Sequence, residues 1–193
     1  RHTAEKEQAI DEKQWKYSTH YLYNRQWDPV SQSIRGSVLE SKDSKVKVIF
    51  VPSYLNGVDG VFNMNYYEML SGMDLTAYPS YYEPWGYTPL ESVAFSVPTI
   101  TSNLSGFGLW AVKQADHEGV EVISRDDNND AYAVEQIVAA VLRFMQLDQE
   151  QLAAVRQGAC NLSKKALWEK FYKHYERAYA EALENSTARI SNT

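Results

Sequence analysis

The order of segments along the 193-residue chain predicts an α/β protein with a parallel sheet, flanking helices and long C-terminal helices. Two observations carry this expectation. Short runs rich in β-branched residues recur at 45–51 (KVKVIFV), 75–79 (LTAYP), 99–102 (TITS) and 119–124 (GVEVIS), each bounded by turn residues as strands are. Segments with helical spacing of apolar residues lie between and after them, and that alternation is the pattern of strand–helix–strand units.

The elements follow in order. The opening segment to Asn24 is polar with scattered aromatics and reads as helix or irregular chain. Asp28-Pro29 predicts a helix start, because proline fits the first helical turn, with Val30, Ile34 and Val38 on one face. KVKVIFV becomes fully apolar, as a strand covered on both faces would. Asn65 and Glu68 form an Asn-x-x-Glu signature opening a short helix that ends near Gly72. After strand 75–79, Pro84 biases Glu83 away from helical angles, so 80–87 is a loop. A helix is predicted from Thr88, with Pro89 at its first position, Leu90, Val93, Ala94 and Val97 on one face, and Pro98 as its stop. Strand 99–102 leads into NLSGFG, read as a glycine-bearing loop. Helix 131–146 places Val134, Val138, Val141 and Met145 on one face, and another helix begins at 148–151. From Ser163 a long helix carries Trp168, Phe171, Tyr172, Tyr175, Tyr179 and Leu183 as a packing seam, and the polar tail after Asn185 is expected to fray.

Composition excludes several classes. The net charge is −6 with no dense Lys/Arg run, so there is no electrostatic footprint for nucleic acid or an anionic membrane surface. The single cysteine, Cys160, rules out an internal disulfide and fits a buried thiol in a reducing, cytoplasmic setting. No apolar run approaches membrane-spanning length, no signal-peptide core opens the chain, and the Asn-x-Ser/Thr matches at Asn103, Asn161 and Asn185 read as chance. The first residue is Arg1, which suggests a piece of a longer chain. The histidines at 2, 20, 117 and 174 lack HExxH spacing, and no serine sits in GxSxG. DDNND (126–130) lacks the glycine and distal glutamate of a calcium loop and reads as a solvated loop ending in an acidic helix start. No metal site is expected. GFG (106–108) marks a tight loop or a close backbone approach.

Two carboxylates stand out in YPSYYEPWGYTPLESVAF (78–95). Thr88-Pro89-Leu90-Glu91 spells a capping box, which explains Glu91 locally; a ligand role is the alternative. That explanation does not reach Glu83. It follows a predicted parallel strand and precedes a helix, in the crevice where open α/β sheets bind ligands. Free amides and the helix dipole there favour a phosphate, with a carboxylate close enough to act on whatever the phosphate carries.

Beyond this physical reading, SYYEPWGYTPLES, with Glu83 and Glu91 in an E-x7-E frame, resembles the signature of the eukaryotic-type glycogen synthase family. The resemblance extends to KVKVIFVPSYLN (45–56), NYYEMLSGMDL (65–75) and PTITSNLSGFG (98–108), and more weakly to 28–30 and Trp168. It covers residues 20–110 best. It implies a retaining glucosyltransferase of GT-B architecture, with two Rossmann-like domains facing a cleft. This chain would be the later part of the C-terminal, nucleotide-sugar-binding domain: a helical lead-in at 1–44, a donor-site core at 45–125 and C-terminal helices at 126–193.

By that resemblance Glu83 is the catalytic carboxylate that stabilises positive charge on the transferring glucose. The backbone at Trp85 and Gly86 contacts the glucose, Tyr87 and Thr88 hold the diphosphate, Glu91 binds ribose hydroxyls and Tyr66 stacks on the base. The implied donor is UDP-glucose ahead of ADP-glucose, and the acceptor is glycogen or another α-glucan, reached through an N-terminal domain. No cofactor is implied, and a homo-oligomer is compatible with it. Three departures qualify the match. The family's diphosphate-binding arginine and lysine have no counterpart before 45–51, and the acceptor-side domain has none, so this stretch alone is expected to be inactive. Where the eukaryotic enzymes carry an arginine-rich regulatory helix, this chain offers Arg156, Lys164 and Lys165, which speaks against activation by glucose 6-phosphate. Two competing readings are another retaining GT-B glycosyltransferase and a non-catalytic glycan-binding module, the latter motivated by the 14 tyrosines and five tryptophans.

Overall fold

Residues 17–191 are described by a computed structural model, with side chains described to residue 187. Most of the predicted polar opening segment lies outside the described residues. The chain divides into two units, one ending at Tyr66 and one beginning at Tyr67.

In the first unit, helix α1 (Pro29–Ile34) starts as the sequence predicts. Pro29 occupies its first turn, and the Asp28 carboxylate accepts the Ser31 amide at 2.8 Å. A single 3-10 turn follows at Val38–Glu40. The predicted strand 45–51 is not assigned as a strand. Phe50 makes one parallel bridge to Ser18, with Thr19 N–H donating to Phe50 O and Phe50 N–H to Tyr17 O. Its composition suits a strand covered on both faces, but Val46 and Ile49 are exposed, so the burial that composition would exploit is missing within this unit. Loop 56–65 is closed by an Asn56–Asn65 bridge and built around Asp59. The Asp59 carboxylate accepts the amides of Val61, Phe62 and Asn63 at 2.9–3.0 Å. The Phe62 bond foremost, with the other amides, holds its pKa below the usual carboxylate value. Helix α2 (Tyr66–Ser71) begins at the last residue of this unit and runs on in the second, ending just before Gly72 as expected.

The second unit has a three-stranded parallel sheet in the order β1 (Thr76–Tyr78), β2 (Thr99–Ser102), β3 (Val120–Ile123). Ala77 pairs with Ile100, and Thr101 with Val122. Helices α3 (Tyr87–Ala94) and α4 (Gly106–Ala111) connect the strands, followed by α5 (Asp130–Met145), α6 (Gln149–Lys165) and α7 (Trp168–Ser191). The twofold alternation of strand side chains splits the core into two layers. Val120 and Val122 join Val93, Phe107, Ala111, Ala159 and Leu162 from α3, α4 and α6 on one face. Ile100 and Ile123 meet Ala133 and Ala140 of α5 on the other. Helices therefore cover both faces, which is why all four residues of β2 are buried.

Several helical details correct the sequence reading. NLSGFG is not all loop: Ser105 accepts the Gly108 amide and caps α4, which begins at Gly106. On α5 the buried positions are Ala133 and Ala140, with Ile137 and Val141 packed beside them, whereas Val134, Val138 and Met145 are exposed. Small alanines let the helix approach the sheet closely, and bulk alone misjudged the face. The predicted continuous helix from Ser163 is broken at Ala166–Leu167, where Ala166 N–H bonds Ser163 O in a tightened last turn. α7 stays helical through the predicted frayed tail to Ser191. The Cys160 thiol is half-buried. Among the described residues no helix is long and apolar enough to cross a membrane.

Candidate active site

The loop from Pro79 to Gly86 leaves the carboxyl end of β1, and its neighbour is the β2–α4 connection. Backbone bonds stitch the two together. Glu83 N–H donates to Leu104 O (3.1 Å), Gly106 N–H to Glu83 O (3.0 Å) and Phe107 N–H to Trp85 O (2.6 Å). The Ser105 hydroxyl adds a bond to Trp85 O at 3.0 Å. On the upstream side, the Ser102 hydroxyl donates to Ser80 O at 2.6 Å. The glycines make the approach sterically possible. A Cβ on Gly106 would stand 2.2 Å from Pro84 O, so the close approach inferred for GFG is made by the Glu83 loop itself.

Gly86 then starts α3. Its φ of +106° is open to glycine and strained for other residues, and a Cβ there would meet Ser105 Oγ at 2.8 Å and Glu83 Cγ at 3.4 Å. This left-handed residue begins the helix at Tyr87, two positions before Pro89, the predicted first helical residue. Thr88 thus lies inside the first turn, and no side chain caps the helix. The predicted Thr88–Glu91 capping box is not formed. The reason is positional: a capping residue must precede the helix in extended backbone, and here Gly86 occupies that place. Glu91 instead accepts the Tyr67 hydroxyl at Oε1 (2.8 Å), with the Tyr67 ring stacked on Phe95 at 5.4 Å.

The consequence is a cluster of unused polar groups. The amides of Trp85, Gly86, Tyr87 and Thr88 have no partner among the described residues. The half-buried Glu83 side chain makes no hydrogen bond or ion pair there either. Free N–H groups and the positive end of the helix dipole attract an anion. An unpaired carboxylate beside them can stabilise a developing positive charge. The Trp85 ring faces away, into the core against Phe107 (6.1 Å), Trp110 (5.8 Å) and Phe171 of α7 (5.3 Å), so its contribution to the loop surface is backbone. Tyr82 and Tyr87 are largely exposed.

Of the seven residues singled out from sequence, the structure brings Glu83, Trp85, Gly86, Tyr87 and Thr88 together in one turn, with Glu91 one helical turn further on. Tyr66 ends the first unit, where its amide donates to Leu55 O at 3.1 Å. Sequence reasoning missed Ser105, Tyr67, and an ionic cluster of Tyr81, Arg125 and Asp130. In that cluster Tyr81 O–H and Arg125 Nη2 both donate to Asp130 Oδ1, at 2.5 and 3.0 Å. No short motif links these three, since they come from the ends of different elements. Of the cations considered for regulation, Arg156 is paired with Asp74 (2.8 Å) and Lys165 with Asp116 (3.5 Å). A separate groove at the opposite, amino ends of the strands, lined by Leu75, Pro98, His117, Arg143 and Phe144, contains none of the predicted site residues.

Residues 11–190 match the family model described as glycogen synthase. The chain is 34% identical over 172 residues to glycogen [starch] synthase of Dictyostelium discoideum, covering 87% of this chain and 20% of that protein. It is 33% identical over 170 residues to the Caenorhabditis elegans protein of the same description (84% and 25%), and 30% identical over 165 residues to the human liver form (83% and 24%). The chain thus spans about a fifth to a quarter of the length of the curated relatives it matches.

Proposed function

The chain belongs to the glycogen synthase family, and we propose that it forms the donor-binding part of an enzyme that transfers glucose from a nucleotide sugar, UDP-glucose by preference, to the non-reducing end of an α-1,4-glucan with retention of configuration. One observation supports this most directly: an uncapped helix N-terminus and an unpartnered carboxylate, Glu83, share one rigidly stitched turn.

In this reading the amides of Tyr87 and Thr88 bind the diphosphate, and the backbone of Trp85 and Gly86 lies along the glucose. As the bond from the anomeric carbon to the phosphate oxygen lengthens, positive charge grows on the sugar ring and negative charge on the leaving diphosphate. Glu83 stabilises the first and the α3 amides the second, which is differential stabilisation of the transition state. The Oε2 atom of Glu91, without a partner among the described residues, accepts from ribose hydroxyls while Oε1 stays anchored by Tyr67. The parent protein, cytoplasmic by this reading, is assayed with UDP-glucose and with ADP-glucose on glycogen, as wild type and as Glu83→Gln. Loss of kcat on the order of a hundredfold or more is expected for the variant. Unimpaired transfer removes Glu83 from the mechanism.

A further inference from the structure

We propose that Arg125 is a positioning residue for Glu83, acting through Tyr81, two residues upstream of the carboxylate. The inference rests on the donor-site reading for its catalytic consequence and on geometry for the rest.

Arg125 follows β3 and collects the carboxyl ends of all three strands. Its backbone N–H donates to Asn103 Oδ1, after β2, at 2.7 Å. Its Nη1 donates to Pro79 O, after β1. Nη2 bonds Asp130 Oδ1 in the first turn of α5, and the guanidinium carbon lies 3.5 Å from the Tyr81 ring centroid. Tyr81 closes the cluster through its hydroxyl on the same Asp130 oxygen. The Arg125 side chain is only 12% exposed, and its buried Nε has no partner. A buried guanidinium with an unmet donor carries a desolvation cost, so a helix start and a strand end alone do not account for placing it there. What the placement achieves is a plane that covers the Tyr81 ring while two donors grip a loop carbonyl and a carboxylate, a combination open to arginine and closed to lysine.

The effect on the loop follows from where the anchors fall. Arg125 and Ser102 hold residues 79–81, and Leu104, Ser105 and Gly106 hold residues 83–85. Tyr82, 79% exposed, is the one residue between the two sets of anchors. With both ends of so short a span fixed, the direction in which Glu83 leaves the backbone is fixed as well. Without the Arg125 end, the span pivots about its attachment to the β2–α4 connection.

The test uses the full-length parent protein carrying Arg125→Lys, Tyr81→Phe or both. Each is measured for kcat and KM with UDP-glucose, for binding of UDP alone, and for hydrogen–deuterium exchange. Arg125→Lys is expected to lower kcat on the order of ten- to a hundredfold, the scale of a small misplacement of a reacting group. UDP affinity should stay within about twofold, because the interaction lost matters in the transition state rather than in nucleotide binding. Exchange should accelerate at Ser80 and Glu83, the bonded amides of 80–86, while 99–103 keeps its protection. Tyr81→Phe, which retains the ring and loses the hydroxyl bond, should show the same pattern more weakly, and the double variant should lose less than the product of the two single losses because both bonds end on Asp130 Oδ1. Loss of UDP affinity matching the loss of kcat/KM, or unchanged exchange across 80–86, overturns the inference. Should the wild-type parent transfer no glucose, the donor-site reading fails and exchange alone judges Arg125. Should Arg125→Lys not fold, Tyr81→Phe carries the same readouts.

Discussion

The loop around Glu83 and helix α7 are opposites in how they are held. The loop has no regular secondary structure between Pro79 and Gly86, yet bonds from Ser102, Leu104, Ser105, Gly106, Phe107 and Arg125 secure it. Helix α7 is 24 residues of regular backbone whose aromatic stripe touches little beyond itself. Trp168 lies 5.9 Å from Tyr175, and Tyr175 6.3 Å from Tyr179, while Trp168, Tyr172, Tyr179 and Leu183 are each more than half exposed. Only Phe171 is drawn inward, against Trp85 and Trp110. The predicted packing seam is therefore formed at Phe171 alone, and its other members stay about half exposed or more. The contrast shows that backbone regularity and anchoring are separate properties: a helix satisfies its own amides, whereas a loop can be rigid only if other elements supply partners.

This contrast can be broken at its tightest point first. Gly106→Ala places a methyl against Pro84 O and must part the two loops. A loss of about 3 kcal/mol, the upper part of the overpacking range, is expected in denaturant unfolding. A smaller change marks the stitching as more compliant than its distances imply. Ser105→Ala removes both the α4 cap and the bond to Trp85 O, and should cost about 1–2 kcal/mol. Replacing Ser105 by Thr, which keeps the hydroxyl, should recover part of that loss. Tyr179→Ser on α7 is expected to change the stability of this chain by less than about 0.5 kcal/mol, as exposed substitutions do, and a larger loss means the stripe is covered after all. Thr88→Ala belongs to the same small class, because Thr88 caps nothing. A loss near 1 kcal/mol would restore the capping box.

The smallest expected effect is on pH. Tyr81 foremost, then Arg125, holds the Asp130 carboxyl below its usual pKa. A lowered folded pKa contributes stability above the unfolded value that is lost as pH falls through the folded one. Acidification through the carboxylate range should therefore loosen this end of the loop. In NMR titration the Asp130 carboxyl should titrate below the ordinary aspartate value, and Tyr81→Phe should raise its midpoint. A midpoint unmoved by that substitution would detach Tyr81 from the shift.

The two glutamates show how far local reading reached. Glu83 was legible because strand, proline and helix signals around it fixed its place at the end of a parallel strand. Glu91 was misread locally, since Thr-x-x-Glu is a cap only if threonine stands outside the helix, and the left-handed Gly86 moved that boundary. The break at Ala166–Leu167 had no local signal, both residues being good helix formers. It turns the chain so that Phe171 meets Trp85 edge-on.

Periodicity, punctuation and residue type by themselves determined the α/β class, the three strands of the second unit and the turn that holds Glu83, because those signals are local and repeat at the period of the element they specify. Tertiary structure alone decided the rest. Whether 45–51 pairs as a strand, which face of α5 is buried, and that Tyr81 meets Arg125 and Asp130 depend on residues far apart in the chain. No window of sequence contains both sides of such a contact.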